Sequence, residues 1–143
     1  VALPEFAVVI LPLCCLFFGL AQICHLFVGH LMFRHAAHAA ARMAIVGASP
    51  MQPGAFVGDY EEPRKAALEA LGYWTEIPNP RIDDVQVKTT YPETDQYGPV
   101  QVKLTGTFHC IVPLGQKLIC KNGVVKMTSQ ITLPHQGARY AQE

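Results

Sequence analysis

The sequence predicts an α+β fold, a long N-terminal helix followed by a small antiparallel sheet. Three observations carry this. Phe6 to Phe33 (FAVVILPLCCLFFGLAQICHLFVGHLMF) contains no Asp, Glu, Lys or Arg, and Glu5 is the only charged side chain before Arg34. An alanine-rich stretch continues the helical pattern to Gly47. From Ile82 onward the apolar period becomes two, with Val85 and Val87, then Val100, Val102 and Leu104, alternating with polar residues.

The apolar run is the first element. Its length of about 28 residues is roughly 42 Å of helix at ~1.5 Å per residue, whereas a bilayer core needs only about 20 apolar residues. Ordinary globular helices average about 11–12 residues, which argues against a buried core helix. There is no basic segment ahead of the run, and its length exceeds a secretory signal core, which argues against an uncleaved signal. Pro4 suits the first helical turn. Glu5 follows, where the helix dipole favours a carboxylate. Pro12 removes one backbone hydrogen bond and is expected to kink or soften the helix. Ala36, Ala40 and Ala44 fall on one face. That face allows close approach by the chain's own head or by a neighbouring helix. Gly47 with Ala48-Ser49-Pro50 stops the helix.

The chain thus divides into an N-terminal helix, 1–48, and an α+β head, 49–143. Half of the residues are hydrophobic and 15% are charged, below the usual level of about 25%, and nearly all of the charge lies in the second part. Residues 48–60 read as a turn-rich connector. A second helix is expected over Pro63–Leu71, ended by Gly72. Strands are expected near 82–88, 100–105, 118–121 and 124–133, making a sheet of about four. Lys121-Asn122-Gly123 is a tight-turn signal.

Cys110 and Cys120 flank a segment that reads as a hairpin around Leu114-Gly115-Gln116. That places them opposite one another, as a candidate disulfide of an exported domain or as two free thiols on one face. Cys14, Cys15 and Cys24 lie in the apolar run and read as small hydrophobes. His30, His35 and His38 have helical spacing, but Arg34 and Arg42 accompany them and no carboxylate does. They read as a solvated belt, with no metal and no cofactor expected. His25 reads as a core or interface residue. The net charge of zero gives no electrostatic case for nucleic acid. Adjacent pairs such as Glu61-Glu62 and Asp83-Asp84 diverge rather than converge. No nucleophile elbow, phosphate loop or zinc-protease motif is present, so no enzyme is expected.

Pro4-Glu5-Phe6-Ala7-Val8-Val9-Ile10-Leu11-Pro12-Leu13 resembles the start of type IV pilin-like proteins of the Tad class, the TadE-like pseudopilin family. The similarity continues through the apolar helix into Ala-Ala-His-Ala-Ala-Ala-Arg at 36–42. A looser similarity to the family's C-terminal pattern lies in Leu133-Pro134, Ala138-Arg139-Tyr140 and Glu143. The resemblance implies a subunit cut by a prepilin peptidase just before Val1. It would be held in the bacterial inner membrane and passed by the pilus assembly machinery into a surface filament of itself or other pilins. Glu5 would meet the Val1 ammonium of a neighbouring subunit in the filament core, and Pro12 would ease extraction from the bilayer. The alternative is a bitopic anchored domain that binds at the cell surface and never polymerises. A third reading, an anchored enzyme or metal carrier, rests on the histidines alone.

Overall fold

The computed structural model describes residues 2–47, 57–58, 61–76, 78, 80–90, 98–112 and 115–134. Val1, most of the 48–60 connector and the C-terminal residues 135–143 lie outside the described residues. Helix α1 runs unbroken over Ala2–Gly47, through Pro12. Helix α2 occupies Glu61–Leu71 and is followed by a 3-10 turn, Gly72–Thr75. Gly72 has φ +46°, the left-handed conformation that ends a helix without steric cost in glycine.

The sheet is antiparallel in sequence order β1-β2-β3-β4. Strands β2 (Ile82–Thr90), β3 (Val100–His109) and β4 (Val124–Leu133) are full length, and β1 (Val57–Gly58) is a two-residue edge piece. The α+β layout is therefore the expected one, with two changes of detail. The expected strand at Leu118–Lys121 does not form, and β1 arises inside the stretch read as connector.

The same segment overturns the expected hairpin around Leu114-Gly115-Gln116. Gly115–Ile119 forms a single helical turn, α3. The Gln116 amide donates to the Val112 carbonyl at 2.9 Å, and the Cys120 amide to the Gln116 carbonyl at 3.0 Å. The sequence explains this. Leu118 and Ile119 are adjacent, a pattern that fits one turn of helix and breaks strand alternation. The Lys121-Asn122-Gly123 signal is a turn, with φ 58° at Asn122 and 77° at Gly123, but it links α3 to β4 rather than two strands.

Alternation places Val100, Val102, Leu104, Gly106 and Phe108 of β3 on one buried face. On β2 the buried set changes parity, from Ile82 to Val85, Val87 and Thr89. A bulge between Asp83 and Gln86 makes this change, with Asp84 at φ 48°. The extra residue keeps both ends of the strand facing the core. Against this face lies the second half of α1. Phe33 and Ala36, Ala37, Ala40, Ala41 and Ala44 are buried, and α2 covers them with Pro63, Ala67 and Leu71.

Two glycines set how closely helix and sheet approach. A Cβ on Gly29 of α1 would sit 2.7 Å from the Phe108 ring, and one on Gly106 of β3 would sit 3.0 Å from the Phe33 ring. Each phenyl ring thus lies over a glycine of the opposite element. Each fully buried ring contributes about 1.5–3 kcal/mol of apolar burial.

Candidate functional site: the exposed half of the helix and its junction with the head

The two halves of α1 have opposite surroundings. From Pro4 to Ala21 no described side chain is buried, and large apolar residues point outward on every side. Phe6 is 65% exposed, Val8 73% and Phe17 66%. An all-round apolar surface on a helix is the pattern of a segment whose solvent is not water. Helix α1 is long and apolar enough to cross a membrane, with a mean hydropathy of 2.5 in its apolar window. Glu5 lies in its first turn with an exposed side chain, and Pro12 is exposed seven residues further on.

Gln22 marks the junction. It is the first buried residue of α1 among those described, at 0% exposure. Its Oε1 accepts a hydrogen bond from the Val112 amide at 3.1 Å, and its Nε2 donates a long one to Cys120 Sγ at 3.9 Å. Cys110 and Cys120 are joined as a disulfide, so the loop that receives Gln22 is covalently closed. One turn further, the His25 ring packs on Trp74 and Phe108, at centroid distances of 5.4 and 5.6 Å.

These contacts fix the direction of the head. Phe108 lies beside Gly29 and Gly106 beside Phe33, so β3 descends toward the N-terminal end of α1. Cys110, Ile111 and Val112 continue that descent to the level of Gln22. The described residues of the disulfide loop, 110–112 and 115–123, are therefore at the end of the head nearest the exposed helix half. His109 and Asp83 pair at 2.7 Å at this same end.

The candidate residues fall into three places. Glu5 and Pro12 lie on the exposed half. Ala36, Ala40 and Ala44 lie in the head core, where the chain's own sheet and second helix occupy their face. Cys110 and Cys120 lie at the junction. The positions that sequence reasoning missed are Gln22, Gly29 and Gly106. Gln22 was the readable one, as a lone amide in an apolar run. The glycines gave no signal, because nothing local shows which ring will lie over them. His30, His35 and His38 are exposed on α1, and among the described residues no three metal-ligating side chains converge.

An apolar helix half with a carboxylate in its first turn thus leads a head that is seated only on the second half. Residues 1–42 match the family model described as TadE-like protein.

The TadE-like stretch covers the exposed half of α1, the Gln22 junction and the alanine face as far as Arg42. No curated protein and no solved structure matches the chain.

Proposed function

We propose that the protein is a pilin or pseudopilin subunit that assembles through α1 into a Tad-type filament. The observation that carries this reading is an apolar stripe beside the head. Ile23, Phe27, Val28 and Leu31 are 47–63% exposed and follow helical spacing along the side of α1 away from the head. A simple anchor needs only the exposed half. Pro4 to Ala21 is about 18 residues, or roughly 27 Å, close to a hydrocarbon core of about 30 Å. The stripe extends past that length, and neighbouring α1 helices are the apolar surface that would cover it.

In this reading residues 1–48 are the membrane and filament-core helix and 49–143 the head. Glu5 lies hydrated at the bilayer interface before assembly. In the filament core it loses water, and a buried unpaired carboxylate costs several kcal/mol. The Val1 ammonium of a neighbouring copy offsets that cost and selects one axial offset. Pro12 softens the helix for extraction. Removal of a leader by a prepilin peptidase belongs to the reading through the TadE-like likeness, and the mass of the mature N-terminus tests it.

The test of assembly is filament yield. Glu5→Ala is expected to leave the protein in the membrane fraction and to abolish or strongly reduce sheared filaments. Pro12→Ala is expected to slow their appearance. Normal filaments from Glu5→Ala would overturn the assigned role of the carboxylate.

A further inference from the structure

The junction loop has a surface that filament assembly through α1 does not use. Ile111 and Ile119 are 41% and 37% exposed, although each adjoins a residue that contacts Gln22. Tyr73, at the same end of the head, is 72% exposed and adjoins Trp74, which packs on His25. Lys117 is exposed on α3. The other described charged groups at this end are Arg81, His109, Lys126, Glu76, Asp83 and Asp84. Asp83 faces His109, and Asp84 accepts from the Gln86 amide. Isoleucines, a tyrosine and a lysine around the foot of a helix are the side chains that a membrane interface accommodates. Aromatic rings favour the headgroup level, and lysine extends its ammonium to phosphate.

We propose that the described part of the disulfide loop, 110–112 and 115–123, is a membrane-contact foot. Ile111 and Ile119 seat in the headgroup layer of a phospholipid bilayer, with Lys117 against lipid phosphate. The inference rests on the reading of Pro4 to Ala21 as the bilayer span. That span ends at Gln22, so an upright helix brings the loop to the hydrocarbon edge. The headgroup layer is about 5–7 Å deep on each side, enough to receive the loop's apolar side chains. The disulfide keeps the loop folded on Gln22 rather than free to leave the surface. The foot fixes how deep the subunit sits, and therefore the height of Glu5 at the opposite face.

The test uses the full chain reconstituted in vesicles of equal parts phosphatidylglycerol and phosphatidylcholine. The lipids carry bromine near the carbonyl end of their acyl chains. Trp74 is the only tryptophan, so Trp74→Phe gives a dark background for single probes. Ile119→Trp and Ile111→Trp report the foot, Phe17→Trp the span, and Thr132→Trp the far end of the head. Both foot probes are expected to lose about half of their fluorescence or more. The Thr132→Trp probe stays bright, and Lys117→Glu restores part of the lost foot signal. If Trp74→Phe unfolds the head, the probes are read by difference against wild-type Trp74. Quenching at the Phe17 probe with none at either foot probe overturns the foot and leaves the span standing. No quenching at the Phe17 probe overturns both.

Discussion

Gly29→Ala tests the seating of the head on the helix at a single atom. The added Cβ would lie 2.7 Å from Phe108 Cε2 and 3.1 Å from Cδ2, where an ordinary carbon contact is about 3.5–4.0 Å. The ring must therefore retreat by about 1 Å. It has little room, because it is fully buried and packs on His25 at 5.6 Å and Trp74 at 6.0 Å. Overpacking of this kind costs about 1–3 kcal/mol. Alanine restores about 1 kcal/mol of helix propensity over glycine, so a net loss of up to about 2 kcal/mol is expected. Gly19→Ala is the matched control, since nothing lies within 4 Å of its Cβ position. The assay is denaturant unfolding of the full chain in detergent, followed by Trp74 fluorescence. Gly29→Ala should lower the midpoint and Gly19→Ala should not. Phe108→Leu should couple to Gly29→Ala, so that the pair loses less than the sum of the singles. A Gly29→Ala midpoint at or above wild type, with no coupling to Phe108, would refute the close approach of helix and sheet.

Two further outcomes follow from the junction. Cys110→Ser with Cys120→Ser opens a loop with a sequence separation of 10, and chain-entropy arguments put the loss at about 3 kcal/mol. Comparing unfolding of wild type with and without reductant checks it, and equal midpoints would argue that the loop is held without the bond. Gln22→Leu removes the acceptor of the Val112 amide, leaving a donor unsatisfied at a cost of about 1–3 kcal/mol. Hydrogen exchange at Val112 should accelerate, whereas unchanged protection would show that the bond is not made in solution.

The readable parts of this protein are those with a period. A long charge-free run, an alanine face and two-residue alternation report helix and strand directly, because local geometry alone decides which side chains share a face. Glu5 and Pro12 stand out in the sequence for the same reason, as exceptions within a uniform pattern. The segment from Val112 to Cys120 was misread as a hairpin because Gly115 in a short span between cysteines fits a turn as well as a helical turn. The Val112 and Gln116 carbonyls settle it by accepting helical hydrogen bonds, and the Gln22 side chain, 90 residues away from Val112 in sequence, closes over the result.

The sequence by itself determined that an apolar helix leads the chain, that it carries a carboxylate in its first turn, and that a small sheet follows. Tertiary structure decided where the helix stops being free. That point is Gln22, well inside the apolar run, and hydropathy does not mark it. The apolar run continues on both sides of Gln22, and the neighbours on the two sides differ. Lipid or another subunit can face the first half, while Phe108, Trp74 and the disulfide loop meet the second. Burial depends on what packs against a residue, and that contact is made by chain distant in sequence, as Trp74 is from His25 and Phe108 from Gly29.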